Sequence, residues 1–294
     1  MEVLDAELRK EGGWAKSFVK HKKYKDGREF PYHEDFRSPM MAEADVIVIS
    51  SYMHESEVKP YNKKPITRHY STEPHRWLVH PDPQTSTVVA QYQARFAPPG
   101  VAKMPNCIPI NSPMFTPGKK PDDRIIVVYT PSSRAKVGWS NKGFDVTVKA
   151  LASIARSHGE EVEIFVLENA SYEDVMRARR HAHIVIDECA TGSYHSCSLE
   201  GMACGAATIC WMDNDTRLAL ASIMPDDAMR ILPLELIPLS RLEQHLHTLV
   251  QNPGYTKYIG QTSREWMEKW YSENFQASIW INWLRNFQMR FGRN

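Results

Sequence analysis

The chain has 294 residues, 42% of them hydrophobic and 24% charged, with a formal net charge of +1. That balance excludes disordered and collagen-like classes, and the length allows two ordinary α/β domains. The near-zero net charge gives no polyanion-binding signature for the surface as a whole. No apolar run approaches the roughly 18 to 20 residues needed to span a bilayer. The opening MEVLDAELRKEGG lacks the apolar segment of a secretory signal. A cytoplasmic location is therefore expected, that of the host cell if the protein is viral. The five cysteines show no C-x-x-C spacing and read as reduced thiols.

In chain order, Glu2 to Leu8 reads as a first strand, followed by a turn at Gly12-Gly13 and a helical stretch from Trp14 to about Tyr24. Strand, glycine turn and helix is how a nucleotide-binding half-domain begins. Between Arg9 and Arg28 lie eight basic and two acidic residues, a local patch suited to nucleic acid, an acidic glycan or an anionic surface. Ala44 to Ser50 (ADVIVIS) and Pro65 to His69 (PITRH) read as buried strands. The second runs into the polar segment HYSTEPHRW, where His69 is the catalytic candidate of this half. Ser86 to Tyr92 continues the half-domain, and Asn111 to Asp123, rich in proline, reads as a linker.

Beyond it the pattern restarts. Arg124 to Thr130 is a strand, PSSRAKVGWSNKG a polar and basic loop, and Phe144 to Arg156 an amphipathic helix with Val146, Leu151 and Ile154 inside. Val162 to Leu167 is the next strand and Tyr172 to Arg180 a charged helix. Strands and helices alternating with short connections argue for parallel sheets. The expected division is 1–117 and 118–276, with a helix over 277–294 packing back on the first domain. The aromatic-rich tail from Thr262 to Phe291 reads as helical.

The most informative stretch runs from His181 to Trp211: strand Ile184 to Ile186, a polar loop, a helix starting near Cys197 and stopped by Gly205, and a second strand. The loop falls at the carboxyl end of a strand, where open α/β sheets bind ligands. Gly192, Ser193 and Ser196 let backbone N–H groups turn inward before the helix, with Tyr194 and His195 between them. Such a helix N-terminus can hold a phosphate. Glu200 sits one turn into the helix as a hydrogen-bond acceptor. Arg134 and Lys142, on the loop after the first strand of this same half-domain, are expected to open onto the same sheet edge, with Lys136 a competing cation. Two cations and a helix N-terminus facing one cavity would stabilise a leaving diphosphate without a metal. No acidic D-x-D cluster appears in a credible site loop, so no metal and no cofactor are expected.

These residues resemble a family. SLEGMACGAATI is similar to the L-E-A-M-A-C-G-x-P-V-I run of the large retaining "group 1" (family 4-like) GT-B glycosyltransferases. SSRAKVGWSNKGFDVTVKAL is similar to their G-R-x-x-x-x-K-G stretch, with Arg134, Lys142 and Gly143 matching. The resemblance implies two facing Rossmann-like domains with a C-terminal helix crossing between them, in a compact variant. It implies hexosyl transfer from a nucleotide sugar, a UDP-sugar, to an acceptor hydroxyl. Arg134 and Lys142 would lie on the diphosphate, with Ser133 beside them and the Gly192 to Ser196 loop near phosphate and sugar. Glu200 would hold the ribose and Glu168 and Asn169 the base, and Gly12-Gly13 would complete the donor site. Where the family has a glutamate contacting the donor sugar, this sequence has Gly192, so either Asp187, Glu188 or His195 would hold the sugar instead, or the donor is an unusual one.

Three acceptor classes fit: a glycan, a small molecule, or a hydroxymethylated base in DNA, including phage DNA, which the Arg9–Arg28 charge favours. A non-catalytic nucleotide-sugar-binding protein is the further alternative, motivated by the missing glutamate.

Overall fold

A computed structural model describes residues 9, 43–50, 65–72, 74–77, 79–131, 134 and 141–292. The expected first strand, Gly12-Gly13 and the helix from Trp14 lie outside the described residues, as do Ser133 and Lys136. The chain divides into two compact units, Met1–Cys107 with Asn274–Asn294, and Ile108–Glu273. Each carries one all-parallel sheet, and the architecture is mixed α/β with Rossmann-like units.

In the first unit the strands are β1 (Ile47–Ser50), β2 (Ile66–Tyr70), β3 (Ser86–Val89) and β4 (Ala102–Met104), paired in that order. Ser50 pairs with His69 and His69 with Thr87, so the carboxyl ends of three strands lie in register. The C-terminal helix of the chain belongs to this unit: Ala277, Trp280 and Ile281 pack with Met104 in one buried cluster.

The second unit contains β5 (Ile125–Tyr129), β6 (Val162–Val166), β7 (Ile184–Ile186), β8 (Ala207–Cys210) and β9 (Leu234–Leu236) in the order β6-β5-β7-β8-β9. Its described helices are α1 (Phe144–His158), α2 (Tyr172–His181), α3 (Ser196–Ala203), α4 (Asn214–Ala221), α5 (Asp226–Arg230), α6 (Leu242–Gln251) and α7 (Pro253–Trp270). Among the described residues, the first unit contributes α8 (Glu273–Phe291). All five residues of β5 are buried, as expected for a parallel strand covered on both faces. Ile125, Val127 and Tyr129 point to one face, into a core with Leu151, Ile154, Leu246 and Leu249. Ile126 and Val128 point to the other, against Ala182, Val185 and Ala206.

Three details differ from the sequence reading. In α1 the buried face is Thr147, Ala150, Leu151 and Ile154, spaced at i, i+3, i+4 and i+7, and Val146 is 46% exposed one step off that stripe. The tail is two helices. α7 starts at Pro253, where a proline suits the first helical position, and Tyr271 leaves the helical region (φ −122°, ψ 30°) before α8 begins. The proline-rich 111–123 segment is pinned in place: Phe115 is buried, and Arg264 donates to the carbonyls of Ile110, Phe115 and Ala203. Arg180 Nε reaches the Thr116 carbonyl and the Gly118 N–H reaches that of Arg180. Composition marks such a stretch as a loop, and these carbonyl contacts, invisible in composition, tie it down.

His183, just before β7, is 2% exposed, and its Nδ1 accepts the Ile126 N–H at 3.0 Å. An imidazolium has no lone pair for that bond. Burial first, then repulsion from Lys120 and Lys257, lowers its pKa to about 4. The unfolded chain takes up this proton near pH 6.5 and the folded unit does not. Stability should therefore fall as pH drops from 6.5 to about 4, by at most about 3 kcal/mol, and level off below. Urea unfolding across that window checks this, with His183→Asn expected to flatten the slope.

Candidate functional site

In the second unit, β5 connects through α1 to β6 on one side and lies beside β7 on the other. The crevice between the loops after β5 and β7 is thus a topological switch point, the place where open parallel sheets bind ligands. The β5 loop supplies Lys142. It is only 7% exposed, and its Nζ lies 2.8 Å from His195 Nε2. The next residue, Gly143, adopts φ 66°, and a side chain there would meet Leu239 at 2.9 Å. Glycine is therefore what lets the loop turn into α1 directly behind the lysine.

The β7 loop holds His195 from the opposite side. His195 is the N-cap residue of α3. Asp187, at the end of β7, accepts the His195 backbone N–H at 2.8 Å, the Ser198 hydroxyl at 2.6 Å, and faces His195 Nδ1 at 3.2 Å with both oxygens. Burial alone would raise its pKa, but His195, Ser198 and Lys142 outweigh it and hold the carboxyl below its usual range. Glu188, fully buried, turns back onto the loop and accepts the N–H groups of Ala190 (2.6 Å) and Thr191 (2.8 Å) and the Thr191 hydroxyl. Ser193 and Tyr194 are also buried, with the Ser193 hydroxyl donating to the Tyr194 carbonyl at 2.9 Å. The loop is thus a rigid backbone scaffold that delivers one imidazole and one helix N-terminus to the crevice.

A second cluster forms at the end of β6. The Arg134 guanidinium donates two 2.6 Å hydrogen bonds to the Glu168 carboxylate and stacks on Phe144, the first residue of α1, at 4.6 Å. These bonds hold the Glu168 pKa below its usual range. Asn169 has φ 55°, the one positive value at a non-glycine residue among the described residues, a conformation asparagine tolerates better than most. Arg134 and Glu168 thus pair with each other, while Lys142 pairs with His195.

Glu200 lies within α3 and is engaged on both oxygens, by the Tyr172 hydroxyl at 3.0 Å and by Arg179 in a buried ion pair. Arg179 in turn reaches the Thr130 hydroxyl at 2.6 Å and Cys197 Sγ at 3.0 Å, linking α2, α3 and the carboxyl end of β5. Among the described residues, no group of three or more His, Cys, Asp or Glu is placed to hold a metal ion.

No protein-family model matches the sequence, and no curated protein is similar to it in sequence. Solved structures are similar in fold. Sucrose-phosphate synthase from Thermosynechococcus elongatus matches with a TM-score of 0.61 at 12% identity, over 99% of this chain and 92% of that one. The O-GlcNAc transferase of Thermobaculum terrenum matches with a TM-score of 0.54 at 15% identity, over 90% of this chain and 57% of the other. TarM of S. aureus matches at 0.52 and 12% identity, over 82% and 54%. The chain has the GT-B fold.

On this GT-B chain the residues singled out in the sequence fall into separate places. Lys142, His195 and the Gly192 to Ser196 loop meet at the switch point, Arg134, Glu168 and Asn169 at the end of β6, and Glu200 in the α2–α3 packing. His69 belongs to the first unit. Its Nδ1 lies 2.9 Å from the Thr87 hydroxyl, its ring meets Trp280 edge-on at 4.9 Å, and burial lowers its pKa to about 4, so the ring is neutral at pH 7. Gly12, Gly13 and Ser133 lie outside the described residues. Sequence reasoning passed over Arg179, which looked like one more charge on a charged helix, and Thr130. Asp213 was also missed: it caps α4 by accepting the Thr216 N–H at 2.9 Å, and its partner across the loop is Gly192.

Gly192 has φ 76°, and a Cβ there would lie 3.0 to 3.2 Å from three atoms of the Asp213 side chain. The Asp213 N–H also donates to the Gly192 carbonyl at 3.0 Å. The position is therefore built for glycine. Gly192→Ala should cost about 1–3 kcal/mol from the left-handed backbone and the tight contact. Thermal unfolding should show it as a drop of roughly 2–4 °C per kcal/mol. Gly192→Glu would carry the same backbone cost.

Proposed function

We propose that the chain is a glycosyltransferase that transfers a sugar from a nucleotide-sugar donor, a UDP-sugar, to an acceptor hydroxyl. The observation that carries this reading is the Lys142 ammonium, buried and fixed against the N-cap residue of α3 in the switch-point crevice. When a sugar–phosphate bond breaks, negative charge gathers on the departing diphosphate. A fixed cation and the positive end of a helix dipole favour that charge without reorganising at the moment of reaction. Two solved structures of the same fold are, by name, a sucrose-phosphate synthase and an O-GlcNAc transferase.

In this reading Lys142 is the principal diphosphate cation. Arg134 is the second, exchanging its Glu168 partner for phosphate when donor enters. Its exposed position makes that exchange inexpensive, since solvent already screens a surface ion pair. The Gly192 to Ser196 backbone faces the phosphates, Glu168 and Asn169 lie toward the base, and Glu200 keeps acceptor capacity for the ribose beyond its two present bonds. His69, neutral at pH 7, is the acceptor-side candidate base. The charge is supplied by side chains and backbone, so no cofactor is assigned.

Incubation with a panel of nucleotide sugars and acceptors, followed by mass spectrometry, tests the reading. Donor turnover that disappears in Lys142→Ala supports transfer. Donor binding without turnover supports the non-catalytic alternative. The excess of basic residues between Arg9 and Arg28 favours a second acceptor reading, a hydroxymethylated base in duplex DNA. It requires affinity for duplex that weakens as salt rises and as these lysines are replaced, and salt-independent binding would remove it.

A further inference from the structure

Resting on that reading, we infer that Asp187 and His195 are a positioning pair that fixes the His195 proton on Nδ1 and thereby aims the Lys142 ammonium at the diphosphate of the donor. Among the described residues, His195 Nδ1 faces two carboxylates: both Asp187 oxygens at 3.2 Å and Glu188 Oε1 at 3.9 Å. Nε2 faces the Lys142 ammonium at 2.8 Å. A carboxylate accepts and an ammonium donates, so the two neighbours select the same tautomer of the neutral ring, with Nδ1–H donating to Asp187 and the Nε2 lone pair accepting from Lys142. The carboxylate that faces the ring is itself anchored, because one Asp187 oxygen also accepts the His195 backbone N–H and the Ser198 hydroxyl. The Lys142 backbone is held as well, its carbonyl accepting from the Tyr129 hydroxyl at 3.5 Å. A lysine on a flexible four-carbon stem would otherwise lose affinity to rotamer freedom. Here a chain of three side chains, running from the end of β7 to the loop after β5, removes that freedom in advance.

Asp187→Asn separates this role from general support. The Asp187 oxygen shared by the His195 N–H and the Ser198 hydroxyl must remain an acceptor, so the asparagine carbonyl takes its place and the NH2 group faces His195 Nδ1. Nδ1 then meets an N–H donor in place of the Oδ1 acceptor, which favours a lone pair at Nδ1 and the proton on Nε2, setting N–H against the Lys142 ammonium. Nitrogen-15 NMR of the imidazoles, with His195 assigned from its loss in His195→Leu, reports the tautomer directly, and a UDP titration reports the consequence. The expected result is Nδ1–H in the wild type, Nε2–H in Asp187→Asn, and UDP affinity about tenfold or more weaker in the variant, the scale of a lost hydrogen bond to a charged group. His195→Gln, which keeps an acceptor for Lys142, should bind UDP more tightly than His195→Leu. An Nε2–H tautomer in the wild type, or one unchanged in Asp187→Asn, overturns the pair, as does a switched tautomer with undiminished UDP affinity. The tautomer is read without ligand. A switch in a protein whose wild type binds no UDP therefore overturns the aim at a diphosphate and the transferase reading together, while leaving the Nδ1 assignment standing.

Discussion

Lys142→Ala is expected to lower donor turnover by about a hundred- to a thousandfold, the range seen when one preorganised donor is removed from developing negative charge. The argument is local. Lys142 is 7% exposed and fixed at 2.8 Å from His195 beside the N-terminus of α3, so its charge acts in a partly desolvated crevice where water screens it little. The fall should appear mainly in kcat, because the charge it faces is greatest as the diphosphate departs. The affinity for a nucleoside diphosphate product should fall too, since that product carries the same charge. Lys142→Arg should recover little: a planar fork does not replace a compact ammonium held end-on to an imidazole nitrogen. The side chain sits at the crevice and takes no part in the sheet core, so the melting temperature of Lys142→Ala should stay close to wild type. Undiminished kcat would refute the transferase mechanism proposed for this site.

Much of this arrangement is legible in the sequence because it is local. Gly143 behind Lys142 and the small-residue loop before α3 are short-range signals, and near-continuous apolar runs mark β5 to β8 to within a residue or two, while the three-residue β9 carries no such run. What the sequence conceals is long-range pairing. Arg179 and Glu200 stand twenty-one positions apart and look like a surface charge and a ligand-binding carboxylate until the packing of α2 on α3 buries both. Asp213 is twenty-one positions beyond Gly192, and only the turn after β8 brings its side chain against that glycine. The absent glutamate at Gly192 looks in sequence like a lost contact. In the fold it coincides with a left-handed backbone and a neighbouring carboxylate, so the whole local geometry differs from one that would carry a glutamate. His69 is legible in part: a histidine in a polar segment suggests chemistry, while its immediate partners, Thr87 and the edge of Trp280, emerge only from the fold.

Glu200→Ala is expected to destabilise the second unit by about 3–5 kcal/mol, the cost of leaving one member of a buried ion pair without its partner. Arg179 is 4% exposed, its Nε has no hydrogen-bond partner among the described residues, and after the substitution Thr130, Cys197 and the Met176 thioether would remain for its other nitrogens. Tyr172 would lose the acceptor of its hydroxyl as well. At roughly 2–4 °C per kcal/mol for a unit of this size, the melting temperature should fall by about 6–20 °C. This matters for function because the family resemblance places Glu200 on the donor ribose. A loss of activity in Glu200→Ala at one temperature would therefore mix an unfolding effect with a binding effect. The double variant Arg179→Met with Glu200→Leu separates them. Replacing both charges by apolar groups of similar size removes the unpaired guanidinium and should recover most of the stability. If Glu200 also serves the ribose, the double variant folds but keeps a raised KM for the nucleotide sugar with kcat little changed, the signature of lost ground-state binding. Recovery of both stability and KM would assign Glu200 to holding α2 on α3 alone, and would leave the ribose to other groups at the ends of β5 and β7.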